Sequence, residues 1–320
     1  MTRRDEVLEA LRCAGEADVS GEDLARRLGI SRVAVGKHVA ALREAGYQVE
    51  AVPGRGYALT GVPDAPLPAE VRRYLQSALW ERLEGGGVTG STNADAAALA
   101  RAGAPHGTAV LASRQTAGRG RLGRSWESPT GGVYVSAVLR PPFPPAALTG
   151  LPLAVAVGVA GALARFGIEA GVKWPNDLRL DHGKLAGVLL EMSAEADRTA
   201  WVVVGVGLNV RRAGSEIEGA AYLEDVAGAV GRAEAGAAVL DGIAEGYRLL
   251  VAEGFASVRA AFGERDVLAG SEVRATDSEG RLIAEGRAAD VDGEGRLRVD
   301  TSDGVVAVAA GDVTLVGNGR

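Results

Sequence analysis

The amino-acid sequence predicts an α+β protein built from three consecutive parts. Residues 1–62 contain three helix-like segments, each preceded by a polar capping residue, and end in a short hairpin pattern. Strand-like and helical runs then alternate as far as residue 265, which is typical of a mixed sheet covered by helices. The remaining residues form short alternating strands between turn signals, a pattern that indicates a small β-barrel.

The amino-terminal part has the pattern of a helix-turn-helix. Thr2 can cap a first helix, and Ser20 precedes a second whose first turn carries acidic residues, where the helix dipole favours them. Ser31 can cap a third helix that runs to about Ala45. Two helices joined by a short turn at Gly29 form a helix-turn-helix. The residues predicted to pack its inner face are Leu24, Leu28, Ile30, Val35, Val39 and Leu42.

The charge of this part favours a nucleic-acid partner. The segment Leu24–Arg43 contains five basic residues and no acidic one, the local bias that a duplex attracts. The third helix would enter the major groove of DNA, and a hairpin at residues 48–59 would form a wing beside it. The predicted contacts with bases or phosphates are Arg32, Lys37 and His38 on the helix and Arg55 in the wing. A helical protein-interaction module is the alternative.

Proline and turn residues set the predicted boundaries. The run Val62–Pro68 holds three prolines and is a stiff connector. The predicted parts are therefore a winged helix-turn-helix domain at 1–62, a linker at 63–68, a central domain at 69–265 and a carboxy-terminal β-barrel at 266–320. In the central domain we predict strands at Ala109–Ser113, Val133–Leu139 and Val202–Val206, and helices at Ala94–Ala102, Leu153–Phe166 and Gly236–Phe262.

Composition excludes several classes of protein. Cys13 is the single cysteine, so no intramolecular disulfide can form, which fits the reducing cytoplasm. The three histidines, His38, His106 and His182, lack metal-ligand spacing, so no metal ligand is assigned. The charged start lacks the apolar run of a signal peptide. The segment Pro141–Ala164 carries no ionisable residue, but its proline content and short apolar core favour a buried helix over a membrane span.

The segment Gly118–Trp126 is the strongest functional signal. It packs three arginines and three glycines into nine positions. The glycines let the backbone approach a ligand closely, and the guanidinium groups of Arg119, Arg121 and Arg124 suit carboxylate and phosphate. Neither a helix nor a paired strand is expected here. The pattern favours a mobile loop that closes over an anion, with a solvated basic loop as the alternative.

Several further motifs accompany this segment and complete a family pattern. They are Lys173-Trp-Pro-Asn-Asp177, Gly183-Lys-Leu-Ala-Gly187 running into Val188-Leu-Leu-Glu191, Gly205-Val-Gly-Leu-Asn-Val210, and Ser91-Thr-Asn93 with Gln115. In this order and spacing they resemble biotin–protein ligase, and the amino-terminal part narrows the resemblance to the bifunctional ligases and biotin-operon repressors of bacteria. The resemblance covers almost the whole chain. It implies a central domain of the class II synthetase-like type and an SH3-like carboxy-terminal barrel.

The activity that this resemblance implies is ATP-dependent ligation of biotin to a lysine of a biotin-acceptor domain, through biotinyl-5′-adenylate. A site for this reaction must hold a carboxylate beside an α-phosphate, offset their charge and exclude water. The resemblance also implies a homodimer that represses biotin genes from operator DNA in the cytoplasm, with no membrane partner. A lipoate–protein ligase and a DNA-binding ligand sensor without ligase activity are the alternatives.

The resemblance assigns roles to individual residues. Lys184, with Arg119 and Arg121, is implied as catalytic, because its ammonium group offsets charge as the carboxylate meets the phosphate. The implied biotin-binding residues are Ser91, Thr92, Asn93, Gln115, Gly118, Arg119, Gly120, Arg121 and Lys184. The implied ATP-binding residues are Arg119, Arg121, Arg124, Trp126, Asn176, Lys184 and Asn209, with Trp126 stacking on adenine.

A phosphate-bound Mg²⁺ with few direct protein ligands is also expected. Lys173 and Asp177 either support phosphate and metal or pair with each other. The sequence departs from the family pattern at Thr116, where a second glutamine is common. Residues 211–226 lack the tryptophan sometimes found over the adenylate, a position that Ile217 or Tyr222 would take.

Overall fold

The fold comes from a computed structural model, which describes residues 2–316 except residues 16, 196, 213, 215, 216 and 229. The chain packs as two compact units, residues 1–65 and 66–320. The first unit contains the predicted helix-turn-helix. The second contains both the central sheet and the carboxy-terminal strands.

The amino-terminal unit consists of three helices and a hairpin. Its elements are α1 (Arg3–Cys13), α2 (Gly21–Leu28), α3 (Arg32–Glu44), β1 (Gln48–Val52) and β2 (Gly56–Gly61). The predicted caps are confirmed, because Thr2, Ser20 and Ser31 each accept a backbone N–H from the first turn of the helix they precede. Gly29 ends α2 in the left-handed conformation, with φ of 64°. Of the predicted inner face, Leu24, Val35, Val39 and Leu42 are buried, whereas Leu28 and Ile30 are half-buried.

The larger unit is built on a seven-stranded mixed sheet. Its elements up to residue 208 are α4 (Pro68–Val71), β3 (Arg82–Gly85), β4 (Val88–Thr89), α5 (Thr92–Arg101), β5 (Thr108–Ala112), β6 (Arg114–Gln115), β7 (Val133–Leu139), α6 (Leu151–Leu163), β8 (Gly171–Lys173), β9 (Asp177–Leu180), β10 (Gly183–Ala194) and β11 (Thr199–Leu208). The strand order is β3-β5-β7-β11-β10-β9-β8, in which only the β3–β5 pair is parallel. Short strands β4 and β6 form a separate parallel pair.

Alternation along the central strands divides the sheet into two faces. Val133, Val135 and Ala137 of β7 belong to the large core formed with α6 and later helices, whereas Val138 packs under α5. Helix α5 covers the second face only in part. The uncovered remainder of that face, next to the amino-terminal end of α5, is where the proposed site residues gather.

Three further helices follow the sheet, namely α7 (Glu224–Ala227), α8 (Arg232–Arg248) and α9 (Phe255–Gly263). The prediction of one helix over Gly236–Phe262 is wrong, because a π-helical turn at Leu249–Glu253 and Gly254 separate α8 from α9. Gly254 has φ of 81°, which no helix interior accommodates.

The apolar stretch Pro145–Phe166 would be long enough to cross a membrane by length and composition alone, but 67% of its most apolar window is buried within the fold. Helix α6 packs against α8, and an added Cβ at Gly158 would lie 2.2 Å from the carbonyl oxygen of Gly242. The prediction of a buried helix is confirmed.

The last strands form a five-stranded antiparallel sheet. They are β12 (Glu272–Thr276), β13 (Leu282–Val291), β14 (Leu297–Thr301), β15 (Gly304–Val308) and β16 (Asp312–Leu315), in the order β15-β14-β13-β12-β16. Asp277 and Asp292 each accept two backbone N–H groups within the turns that follow β12 and β13. The predicted turn signals therefore lie at hairpin turns.

Candidate functional site

A cavity of about 430 Å³ lies on the sheet face that α5 leaves uncovered, a size typical of small-ligand sites. Gly187, Gly205 and Gly207 line it, and they alternate along β10 and β11 with apolar residues that face the core. An added Cβ at Gly205 would lie 2.0 Å from Asn93 Oδ1, and one at Gly207 2.4 Å from Trp126 Nε1. The glycines of the Gly205-Val-Gly motif are therefore required by the packing of the cavity wall.

One end of the cavity is polar and buried. Ser91 is the N-cap of α5, and Thr92 and Asn93 form its first turn. Gln115 accepts hydrogen bonds from the backbone N–H and the hydroxyl of Thr92 at 2.8 and 3.1 Å. Ser136 on β7 donates to Asn93 Oδ1 at 2.6 Å. The first turn of one helix thus brings together four predicted biotin-binding residues, and Ser136 is a contact that the sequence pattern did not reveal.

The arginine segment is folded back on itself. Arg119 pairs with Ser125 as an antiparallel bridge, and Gly120 N–H donates to the carbonyl of Arg124 at 2.7 Å. The turn between them places Leu122 at φ 56°, ψ 34° and Gly123 at φ 74°, which is a type I′ turn. No strand forms in this segment, as predicted, but the single bridge and the turn fold it into a short hairpin. A left-handed leucine is rare in such a turn, so the sequence carried no Asn-Gly signal for the hairpin.

Arg119, at the start of this hairpin, is held by Glu191 of β10. The two side chains form an ion pair of 3.0 Å, and Asn93 Nδ2 donates to the same carboxylate at 3.3 Å. Glu191 therefore joins the polar end of the cavity to the arginine hairpin. The sequence motif contained Glu191 without indicating this function, because its partner Arg119 lies 72 positions away along the chain.

Arg121 and Arg124 are held by other parts of the unit. Arg121 donates to Asn176 Oδ1 at 3.0 Å, and Asn176 in turn donates to the carbonyl of Val188 at 2.7 Å. Arg124 forms an ion pair of 2.8 Å with Asp312 at the start of β16. Burial lowers the pKa of Arg121, and the nearby Asp312 opposes that shift. Arg121 stays cationic because the ordinary pKa of a guanidinium is so high.

Lys184 projects into the same cavity from the hairpin between β9 and β10. Its ammonium group lies 2.7 Å from a carboxylate oxygen of Asp177 and 5.0 Å from the centre of the Trp126 ring. Asp177 thus has Lys184 as an ion-pair partner. Burial is the largest cause of the lowered pKa of Lys173, which also lines the cavity.

Two of the predicted site residues do not line the cavity. Asn209 is buried and donates to the carbonyl of Lys184 at 3.1 Å, so it supports the backbone that carries the lysine. An added Cβ at Gly118 would lie 2.5 Å from both Ser128 Oγ and the carbonyl of Trp126, so packing alone requires glycine there. The remaining predicted ligase residues all line the cavity.

The segment after β11 contributes Ile217 to the cavity, and ion pairs hold this segment in place. Arg212 pairs with Asp225 and with Glu224, and His182 lies 2.9 Å from Asp225. Burial alone would raise the pKa of Asp225, but hydrogen bonds from Arg212, His182 and the Tyr222 backbone, together with the charge of Arg212, lower it to about 2. The Arg212 guanidinium also lies 4.5 Å from the centre of the Tyr222 ring. Tyr222 is buried beside this cluster and does not line the cavity. Of the two residues predicted to take the place of the missing tryptophan, Ile217 is the one that lines it.

Three carboxylates of the described chain line the cavity. Asp177 and Asp312 are each paired with a basic side chain, and Glu127 is exposed to solvent. Within the described parts of the chain, no three His, Cys, Asp or Glu side chains cluster as metal ligands would.

The predicted nucleic-acid contacts lie in the amino-terminal unit. Arg32 and Lys37 are exposed on α3, and His38 is half-buried. Arg55, in the turn between β1 and β2, forms an ion pair of 2.6 Å with Asp18, although its side chain is 71% exposed. The predicted wing hairpin is therefore present, and its arginine has a carboxylate partner within the unit.

Comparison with known proteins agrees with this architecture. A model of the biotin/lipoate A/B protein ligase family matches residues 85–209, an HTH domain model matches 3–58, and a biotin protein ligase C-terminal domain model matches 269–316. A structure of biotin protein ligase from Aquifex aeolicus in complex with biotin and ATP has a TM-score of 0.63 and 29% identity, covering 74% of this chain and 99% of that one. The sheet, the cavity and these matches define the class of biotin/lipoate ligases.

Full-length relatives narrow the class further. The bifunctional ligase/repressor BirA of Bacillus spizizenii is 34% identical over 98% of this chain and 99% of its own length, and that of Bacillus subtilis is 35% identical over the same shares. The biotin–[acetyl-CoA-carboxylase] ligase of Mycobacterium tuberculosis is 36% identical over 73% of this chain and 89% of its own. The chain belongs to the family of bifunctional biotin ligase and repressor proteins that the Bacillus relatives represent.

Proposed function

We propose that this chain ligates biotin to a lysine of a biotin-acceptor domain, in the cytoplasm, through enzyme-bound biotinyl-5′-adenylate. The observation that carries the proposal is the arrangement of the cavity. A buried polar end, an arginine hairpin and the ammonium group of Lys184 line one cavity of about 430 Å³.

The polar end suits the ureido ring of biotin. Thr92 and Gln115 already bond to each other, and Gln115 Nε2 donates one hydrogen to Ser128 Oγ at 2.9 Å. No described residue accepts the second amide hydrogen of Gln115 or the hydroxyl hydrogen of Ser91, so both are available to the ring oxygen. The ring would therefore enter a pocket whose side chains are already held in place, with its carboxylate tail toward the arginine hairpin.

The first chemical step joins the biotin carboxylate to ATP. A carboxylate oxygen attacks the α-phosphorus, the bond to the β-phosphate oxygen breaks, and pyrophosphate leaves. Lys184 and Arg121 would offset the negative charge that the two anions bring together. Asp177 holds Lys184 at the cavity, and Asn176 holds Arg121, so little reorganisation is needed at the moment of reaction.

The second step transfers biotin to the acceptor. The neutral amine of an acceptor lysine attacks the carbonyl carbon of the mixed anhydride, an amide forms, and AMP leaves. The anhydride must be kept from water until the acceptor arrives. The hairpin at Arg119–Arg124 would cover it, because Glu191 and Asp312 anchor its two sides to the sheet and to β16.

ATP would enter with Mg²⁺ bound to its phosphates. Because both Asp177 and Asp312 have basic partners, the cavity fits an ion that keeps water and phosphate oxygens as its ligands. Such an ion would neutralise phosphate charge, and Lys173 and Arg121 would face the same phosphates.

Lipoate is the alternative substrate within the same class, since the matched family covers both ligases. Lipoate has no ureido group, so the free donors of Ser91 and Gln115 would lose their partners on its binding. The test incubates the full chain with ATP and an acceptor domain, with biotin in one reaction and lipoate in the other. We expect the mass of the acceptor to increase in the reaction with biotin and to stay unchanged in the reaction with lipoate. Modification by lipoate alone would contradict the assignment.

The amino-terminal unit adds DNA binding to this proposal. Helix α3 carries exposed Arg32 and Lys37, and a dimer would place two copies of it on an operator palindrome with half-sites spaced by about 34 Å or a multiple of a helical turn. Biotinyl-adenylate should strengthen operator binding if it favours the dimer. Gel shifts against biotin-gene promoters, with and without biotin plus ATP, test this. Equal binding with and without biotin plus ATP would contradict a coupling between adenylate formation and operator binding.

A DNA-binding ligand sensor without ligase activity is the second alternative. It predicts adenylate-dependent gel shifts but no mass increase on any acceptor domain. The positions of Lys184 and Arg121 in the cavity favour the enzyme, because a sensor has no need to neutralise charge at a reacting phosphate.

A further inference from the structure

The solvent-facing side of α3 carries one large apolar side chain beside a lysine and an alanine. Val33 is 71% exposed, the highest exposure of any large apolar residue in the described chain. Lys37 and Ala40 follow at helical spacing and are also exposed. The core residues Val35, Val39 and Leu42 lie on the opposite side of the helix. The exposed face, Val33, Lys37 and Ala40, therefore takes no part in the packing of the module.

Gly36 lies beside this face, and the fold does not require a glycine there. Its φ is not positive, and an added Cβ would meet only the hydroxyl of Tyr57, at 3.9 Å. Glycine in the middle of a helix makes the helix less stable than alanine does. Gly36 therefore lowers the stability of the helix without a benefit to the fold. A glycine at this position is explained if another surface must approach the helix backbone closely.

We propose that Val33 reads a thymine methyl group in the major groove and that Gly36 lets α3 approach the bases closely enough for that contact. This inference rests on the DNA binding proposed above. Residues in the first turns of a recognition helix contact base edges, and the C5-methyl of thymine is the apolar group that the major groove displays. Lys37, four residues on, carries the charge that the phosphates or a guanine would accept.

The first test removes the methyl groups from each side of the contact in turn and measures binding to the duplex. The full chain with biotin and ATP selects its preferred duplex from a random library, and each thymine of that duplex is then replaced by uracil, which lacks only the methyl. At one thymine of each half-site we expect about fourfold weaker binding, the value of burying one methyl-sized group. In Val33→Ser the same replacement should have no effect, and both proteins should bind the uracil duplex equally.

Serine is a suitable replacement because its helix propensity is close to that of valine. Val62→Ser is the matched control, since Val62 is an exposed valine of the same unit outside α3. The control should keep the full response to uracil, and all three proteins should ligate biotin at the same rate.

The second test separates the helix from the interface. Gly36→Ala should raise or preserve hydrogen-exchange protection of Arg32–Glu44 in the full chain, because alanine favours the helix. It should nevertheless weaken binding to the selected duplex about tenfold, the loss of roughly one good base contact. If Gly36 were needed only for the fold, Gly36→Ala would lower the hydrogen-exchange protection of α3 as well as weaken binding.

The outcomes are distinct. If neither the uracil replacements nor Val33→Ser changes the affinity for the selected duplex, this inference is overturned and the repressor proposal stands. A wild-type chain that enriches no sequence, although it ligates biotin, would refute the DNA-binding proposal itself.

Discussion

At the residue scale, three contacts bear on the chemistry of Lys184, beside the backbone hydrogen bonds that it exchanges with Gly219 and Ala221. Its carboxylate partner is Asp177, its carbonyl accepts from Asn209, and its ammonium group lies 5.0 Å from the centre of the Trp126 ring. Such a preset position is what electrostatic stabilisation of a reacting phosphate requires. The ion pair with Asp177 also means that an incoming anion must share or displace that carboxylate.

Replacement of Lys184 by alanine should therefore affect the reaction more than binding. We expect adenylate formation to slow about 10²-fold or more, while the affinity for biotin falls far less. Single-turnover assays of adenylate formation and calorimetry of biotin binding measure the two effects. Arg179→Ala is the matched control, because Arg179 pairs with Lys184 across the β9–β10 hairpin but does not line the cavity. Equal losses of rate and affinity in Lys184→Ala would exclude the charge-stabilising function.

The arginine hairpin is the feature that matters most at the scale of elements. Leu122 occupies a left-handed position that costs about 1–2 kcal/mol for a residue with a side chain. Contacts with Glu191, Asn176 and Asp312 hold the hairpin in place. Arg121 lines the cavity, where a hydrogen bond to Asn176 fixes its side chain.

Arg121→Gly should loosen this clamp without abolishing synthesis. We expect the adenylate to escape and to modify lysines on bystander proteins, which a mass spectrum of added albumin would detect. Leu122→Gly is the control, since it removes the left-handed cost from the same turn and leaves Arg121 in place. That variant should retain its adenylate. An Arg121→Gly protein that holds the adenylate as tightly as the wild type would contradict the clamp.

Local signals in the sequence predicted most elements correctly, and the misses have separate physical causes. Caps such as Ser31 act within one helical turn, so the sequence specifies them directly. The ion pair between Arg119 and Glu191 joins residues far apart along the chain, so no periodicity reveals it. The hairpin at Leu122 is local, but a leucine in the left-handed conformation gives no turn signal. The break at Gly254 was missed because the apolar pattern continues on both sides of it.

The candidate site was predictable as a set of residues but not as an arrangement. Motif spacing identified Ser91, Gln115 and Lys184, and all three line the cavity. Their mutual geometry depends on the order of strands in the sheet, which a single sequence does not encode in any local pattern. For the same reason, Asn209 was assigned to the ligand, whereas its side chain supports the backbone of Lys184.

At the scale of the whole molecule, the two proposed activities fall in different units. Every proposed ligase residue lies in residues 66–320, and every proposed DNA contact lies in residues 1–65. Few contacts cross a boundary between compact units of this kind, so either unit is expected to fold without the other. The dimer that the repressor proposal requires would then join two separable activities.

A shortened chain that begins at Pro66 should fold, ligate biotin and fail to bind the operator. A chain that begins at Ala69 is the informative comparison, because it lacks Leu67, the N-cap of α4, which packs against Gly86. We expect the second chain to melt at a lower temperature. Thermal unfolding and a ligation assay on both chains provide the measurements. An insoluble or inactive chain from Pro66 would show that the first unit supports the site.

A chase experiment tests whether the cavity makes and holds biotinyl-5′-adenylate. The full chain is incubated with biotin and ATP, passed through a desalting column, and divided. One half is denatured for mass spectrometry, and the other receives an acceptor domain without further biotin or ATP. We expect about one adenylate per chain and its transfer to an acceptor lysine, both lost in Lys184→Ala. A wild-type chain that retains no adenylate, or one whose adenylate never reaches the acceptor, would contradict the proposed function.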